Sequence, residues 1–192
     1  MQCIGEYESY LLGRFFGDGW FEDCKGIALA TSSYSDACML GDLMQRVYGR
    51  KPRLKLRVYS DGHKLYIVRL WSKNVSKRYA SLLGGFKKKS KNSLPPNLCN
   101  KKERICFLKG VIDAEAWVYM WRGRLRLSLE LYNYPMIMFI YEILVELNVK
   151  AWLSKHKDGA YRLDINEPHL KNLFTLIDES NCLPARPGES RL

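Results

Sequence analysis

Two carboxylates stand at matching places in a short word that the chain carries twice. Leu11-Leu12-Gly13-Arg14-Phe15-Phe16-Gly17-Asp18-Gly19 is followed later by Leu108-Lys109-Gly110-Val111-Ile112-Asp113-Ala114-Glu115-Ala116. In each copy two small residues four apart precede the acid: Gly13 and Gly17 before Asp18, Gly110 and Ala114 before Glu115. The acids are 97 residues apart (115 − 18), and the same offset carries Asp61-Gly62 onto Asp158-Gly159. What repeats is therefore half of the molecule, a two-fold architecture within one chain.

Residues four apart share one face of a helix, so each copy presents a narrow face almost without side chains. Two such faces can pack with their backbones close together, because the interaxial distance follows the size of the contacting side chains. Asp18 and Glu115 then project from adjacent helix C-termini, where the macrodipole already disfavours anions. Divalent cations resolve the repulsion. A hard cation takes the two carboxylates, the main-chain carbonyls of Gly17 and Ala114, and water. Neither a catalytic triad nor a structural zinc site is expected. The six cysteines never fall in a metal-ligand spacing, the three histidines do not either, and the thiols are read as reduced.

The elements that position these acids follow from the pattern. In the first half we expect helices over 8–19, 35–48 and 73–83, with strands over 20–23, 26–32, 53–59 and 65–71. In the second half we expect helices over 101–116, 135–147 and 168–177, with strands over 117–121, 124–132, 150–157 and 160–165. The fold class is α+β: two pseudo-symmetric αββαββα halves, each with an antiparallel four-stranded sheet, joined at the central pair of motif helices. The first repeat is placed at 1–84, a connector at 85–100, the second repeat at 101–183 and a frayed tail at 184–192. At 192 residues with 47% hydrophobic residues the chain is globular, and it carries a formal charge of +11, which favours polyanionic partners. No apolar run is long enough to span a bilayer and no signal pattern is seen, so an intracellular protein is expected, cytoplasmic in a prokaryote or organellar.

With the two motifs and the repeat layout in view, the chain resembles the LAGLIDADG homing endonucleases of the single-chain, two-repeat kind, and is similar to their archaeal intron-encoded members. The eighth motif position, which carries the metal-binding acid in that family, falls on Asp18 and Glu115; the sixth falls on Phe16 and Asp113. The first copy departs with Phe-Phe-Gly in place of Ile-Asp-Ala, and Ala116 replaces the last glycine of the second. The resemblance implies a monomer that cleaves both strands of a long, nearly palindromic DNA site by phosphodiester hydrolysis. It would use Mg2+, with Mn2+ as a possible substitute. It further implies a polar shell about the metals, for which Ser32, Asn133 and Lys102 are the candidates, and an intron-encoded origin with intron homing as the biological role. The alternative on the same scaffold is an RNA-splicing maturase, with RNA as partner, or a DNA-binding protein that does not cleave.

The resemblance also assigns the sheets to a DNA-binding saddle, and the strand patterns show which residues would face it. Arg53-Leu54-Lys55-Leu56-Arg57-Val58-Tyr59 alternates strictly, so Arg53, Lys55, Arg57 and Tyr59 line a wet face with Arg69 from the returning strand, while Leu54, Leu56 and Val58 are expected to pack on helices. In the second half Arg122 sits at the turn and Arg124, Arg126, Ser128 and Glu130 alternate along the strand. The 97-residue offset adds Lys150, Trp152, Ser154, His156, Arg162 and Asp164, although Lys155 and Lys157 would also fit a register shifted by one. The Lys87–Lys91 cluster either touches phosphates or keeps the connector soluble.

Overall fold

The computed structural model describes residues 3–86 and 93–183. The lysines at 87–89 and 91, and the tail at 184–192, lie outside the described residues. The first half runs α1 (Glu6–Asp18), β1 (Gly19–Glu22), β2 (Gly26–Thr31), α2 (Tyr34–Tyr48), β3 (Arg53–Val58), β4 (Lys64–Leu70) and α3 (Lys73–Leu82). The second runs α4 (Lys101–Glu115), β5 (Ala116–Trp121), β6 (Arg124–Leu131), α5 (Tyr134–Glu146), β7 (Ala151–Lys155), β8 (Tyr161–Asn166) and α6 (His169–Glu179). Each half is the expected αββαββα unit.

Local chemistry sets the boundaries. Ser33, Ser72, Asn100 and Asn133 each accept a hydrogen bond from the backbone N–H three residues on, satisfying an orphan donor at the starts of α2, α3, α4 and α5. Gly49, in the left-handed region at φ 65°, ends α2. The sheets have equivalent orders, β1-β2-β4-β3 and β5-β6-β8-β7, all antiparallel. One face of each sheet is apolar. Leu29 and Val68 pair across β2 and β4 and are buried with Leu40, Leu43 and Met44 of α2; Leu127, Leu129, Leu163 and Ile165 are buried with Ile137, Ile140, Leu170 and Leu173 of α5 and α6.

Two features depart from the sequence reading. Leu54, Leu56 and Val58 are exposed (44%, 47% and 56%) instead of packed on helices. β3 is the outermost strand, α2 lies chiefly over β4, and the apolar row of β3 runs past the edge of the helix layer. Cys106 in α4 and Cys182 beyond α6 form a disulfide, with Cα atoms 5.1 Å apart, where reduced thiols were expected. Their separation of 76 residues leaves no local spacing to read. Within the described part of the connector, Ser93 and Leu98 are buried, and the Leu94 N–H donates to the Leu83 carbonyl. Among the described residues no helix is long and apolar enough to cross a membrane.

Candidate functional site

The site is built on the α1–α4 seam, the most extensive contact between any two elements. A Cβ placed on Gly13 would stand 2.2 Å from the Phe107 carbonyl oxygen, and one on Gly110 would stand 2.2 Å from the Tyr10 carbonyl oxygen. The two contacts exchange under the 97-residue offset, so the helices cross about a local two-fold axis with bare backbone facing backbone. One turn further on, the missing Cβ of Gly17 would lie 2.2 Å from the Ala114 Cβ and 2.9 Å from the Glu115 Cγ. Only one of that pair can carry a methyl group. Asp18 and Glu115 are each the next residue, and each ends its helix, so both acids leave the same end of the seam.

A buried cation sits beneath one of them. Arg14 is 3% exposed, donates to Asp36 Oδ2 at 2.8 Å and to the Asp113 carbonyl at 2.9 Å, and stands 3.7 Å from Asp18 Oδ2. Burial works against its charge, and Tyr10, Asp36, Asp18 and Asp113 more than offset that, holding its pKa above the usual value. Asp113 itself accepts from the Tyr10 hydroxyl at 2.9 Å and from Lys109 at 2.9 Å. Burial and the Asp113 carboxylate raise the Tyr10 pKa, so the phenol stays protonated and donates. This cluster has no counterpart in the other copy, where Val111 replaces Arg14 and Phe16 replaces Asp113. Arg14→Ala, which strands Asp36 and the Asp113 carbonyl, is expected to cost about 3–5 kcal/mol, read as a lowered chemical-denaturation midpoint at unchanged slope.

The proposed polar shell fares unevenly. Asn133 lines a cavity of about 280 Å³ with Phe16, Glu115, Glu130, Leu131 and Tyr132, but its amide is committed, accepting from the Met136 N–H and donating to the Ser93 carbonyl. Ser32 is an exposed residue of the β2–α2 loop and is not the partner of Asn133. The helix caps Ser33 and Asn133 are the structural equivalents, 100 residues apart (133 − 33), because the first hairpin of the second half is three residues longer than that of the first. Lys102 stands apart from the acids. It lies in the first turn of α4, paired with Glu6 at 2.8 Å, and thirteen residues of helix at about 1.5 Å each put it roughly 20 Å along the axis from Glu115.

The polar sheet faces flank the seam. On β3, Arg53, Lys55 and Arg57 share one face, and the Arg57 guanidinium lies 4.7 Å from the Tyr59 ring centroid. Arg69 is on this face but is held by Glu22 at 2.8 Å, and Glu22 also accepts from the Trp20 indole. In the second half the register pairs Ser128 with Asp164, Trp152 with Asp164 and Ser154 with Arg162, while Leu153 meets buried Leu163. Lys155 instead pairs with Tyr161 on the other face. His156 Nδ1 stands 3.8 Å from Glu130. Ser128 is fully buried, covered by Tyr119, Arg162 and Asp164, which it hydrogen-bonds; a serine beneath an arginine cannot reach a base edge. Arg122 and Arg126 both lie over Trp121, at 4.5 and 3.8 Å, Lys150 over Trp152 and Arg162 over Trp117. Arg124, Arg126 and Lys150 line a groove of about 270 Å³ with Trp121 and Trp152.

Comparison of the coordinates with known structures matches this arrangement over most of its length. The chain superposes on I-DmoI in complex with DNA and Ca with a TM-score of 0.69 at 22% identity, covering 97% of this chain and 96% of that one. A structure of mesophilic variants from the homing endonuclease I-DmoI gives 0.65 at 23% identity, covering 91% and 97%. The N-terminal LAGLIDADG domain of DUF199/WhiA gives 0.62 at 14% identity, covering 99% and 86%. The fold is the LAGLIDADG fold. No protein-family model matches the sequence, and no curated protein matches it.

Within the LAGLIDADG fold, the sequence reading missed the Arg14–Asp36–Asp113 cluster and the tryptophans of β5. Arg14 precedes Asp18 by one helical turn and was visible on that ground; Asp36, which it grips, was not, since that contact depends on how α2 docks. Trp117, Tyr119 and Trp121 alternate along β5, a period-2 signal that assigns all three to the polar face.

Proposed function

We propose that the chain is a monomeric, site-specific homing endonuclease that makes a double-strand break in a long, nearly palindromic duplex, with Mg2+ as cofactor and Mn2+ able to replace it. The observation that carries this reading is the delivery of one carboxylate from each half to the same end of a glycine-packed seam, beside a basic sheet face in one half and a mixed, arginine-bearing one in the other. The similarity to I-DmoI, solved with DNA and Ca, supports a duplex as the partner. The donor set fits a hard divalent ion: Asp18 and Glu115 offer oxygen ligands, the Asp18 side chain is 36% exposed, and a cavity opens beside Glu115.

Asp18 and Glu115 would hold the cations, assisted by the Gly17 and Ala114 carbonyls. When bound, such ions supply an activated water and charge stabilisation for the departing 3′ oxygen. The protein's own work is to place the phosphodiester there. Arg53, Lys55 and Arg57 draw the backbone onto the first sheet, and the mixed face with Arg124, Arg126 and Glu130 offers donors and acceptors to the major groove of the other half-site. Arg14 fixes the carboxylate of Asp18 from below. Two strands require two reaction centres, and the pseudo-two-fold relation of Asp18 and Glu115 supports that reading.

Incubating the protein with a randomised duplex library and Mg2+, then sequencing the ends, tests the reading. One recurrent site cut on both strands is expected. Enrichment of duplexes that stay intact, or capture of RNA in preference to duplex DNA, would overturn it.

A further inference from the structure

At the opposite end of the seam from the acids, three potential ligand side chains converge. Cys3 precedes α1, Cys99 precedes α4, and Glu103 lies in the first turn of α4; one ligand atom from each lies within 4.8 Å of the other two. The thiols are exposed and free, whereas Glu103 is 1% exposed. Its two oxygens accept the Gly5 N–H at 3.2 Å and the Cys99 N–H at 2.7 Å. Among the described residues no cation pairs with it. A buried carboxylate held only by neutral donors is costly unless a positive charge joins it, and each of its oxygens keeps a further lone pair.

We propose that Cys3, Cys99 and Glu103 form a binding site for a thiophilic divalent cation, with Zn2+ the best fit, that clamps the segment before α1 to the start of α4. Two thiolates and one carboxylate suit Zn2+ far better than Mg2+, which avoids sulfur, so this site and the acids at the other end of the seam select different metals. Water completes a tetrahedron. Zn–S bonds of about 2.3 Å place two sulfurs about 3.8 Å apart across a tetrahedron, a span compatible with ligand atoms that already lie within 4.8 Å of one another. The backbone N–H groups of Gly5 and Cys99 orient the carboxylate, as outer-shell donors do in built metal sites. Three anionic ligands around one dication leave a net negative charge at the N-termini of α1 and α4, where the helix dipoles favour it.

A cysteine binds a metal ion as the thiolate. The hydrogen-bonded Cys3 thiol pushes the Cys99 thiol up to about 11. Binding therefore releases the Cys99 thiol proton to solvent as its metal–sulfur bond forms, and affinity should rise with pH.

The test is a titration of the full-length, reduced, chelator-treated protein with Co2+ followed by Zn2+. One equivalent of Co2+ with a thiolate-to-cobalt charge-transfer absorption is expected, displaced by one equivalent of Zn2+ with release of protons. Cys3→Ser should weaken binding roughly tenfold or more and reduce the absorption, and Cys3→Ser/Cys99→Ser should abolish both. Glu103→Gln should also weaken binding; the two cysteine positions, exposed and outside the helices, carry the test if that variant folds poorly. Cys24→Ser and Asp18→Asn should leave the titration unchanged. Absence of the charge-transfer band in the reduced protein, its survival in the double serine variant, or a Cys3–Cys99 disulfide as the only chemistry of the pair would overturn the proposal.

Discussion

Asp18→Asn and Glu115→Gln should each lower double-strand cleavage by roughly 10²–10³-fold or more at saturating Mg2+, while the Kd for uncleaved duplex changes little. Each substitution keeps the side chain's size and one oxygen, and removes the negative charge. A cation held there would lose its strongest ligand on one side of the axis, and a scissile phosphate would lose the charge balance that lets it sit against the protein. Binding is expected to persist because the surface proposed to hold DNA is elsewhere, on Arg53, Lys55 and Arg57 in one half and on the arginines stacked over Trp121 in the other. Removing an anion near a phosphodiester can only ease its approach. The informative measurement is the pair of quantities on one preparation, cleavage rate and equilibrium binding in Ca2+ or without metal. A parallel loss of both would make the acids structural, and full activity in either variant would place the reaction centre somewhere else.

The fold was legible because its signals were local and doubled. The Gly13/Gly17 and Gly110/Ala114 spacings, the Asp-Gly turns at 61–62 and 158–159, and the alternation along 53–59 each fixed an element, and the common offset fixed their symmetry. The details that failed depend on distances between elements, which spacing does not encode. Lys102 is adjacent to the motif in sequence yet a helix length away from its acid. Ser32 was chosen with Asn133 as the residue at the end of the second strand of its half, but the helix cap equivalent to Asn133 is Ser33, one residue further on. Leu54, Leu56 and Val58 have the pattern of a covered strand, but whether an edge strand is covered depends on the width of the helix layer above it. Ser128 alternates with buried leucines and so belongs to the polar face, yet Arg162 and Tyr119 close over it. Polar periodicity identifies a face and says nothing of which side chain ends uppermost.

The seam makes the sharpest demand on sequence, and Gly110→Ala and Gly13→Ala should be among the most destabilising single substitutions in the chain. The added methyl has nowhere to go. Its nearest neighbours are backbone atoms of the partner helix, the Tyr10 oxygen at 2.2 Å and the Arg14 nitrogen at 2.8 Å for Gly110, and the Phe107 oxygen and Val111 nitrogen for Gly13. A flexible side chain could swing aside, but a helix backbone moves only as a whole, so the two halves must separate along the seam. Overpacking typically costs about 1–3 kcal/mol, and a rigid backbone neighbour places these variants at or above the upper end, a fall in Tm of roughly 6–12 °C for a chain of this size. The control is Ala114→Gly, which deletes a methyl where Gly17 already leaves room and should lose only about 1 kcal/mol, mostly helix propensity. The alanine variants should also be poorer nucleases than their folded fraction predicts. Spreading the helices by even about 1 Å pulls Asp18 away from Glu115, and misplacement on that scale can cost about 10²-fold in rate. If Gly110→Ala melts within a degree or two of the parent and cleaves normally, the helices do not meet backbone to backbone, and the convergence of the two acids loses its structural cause.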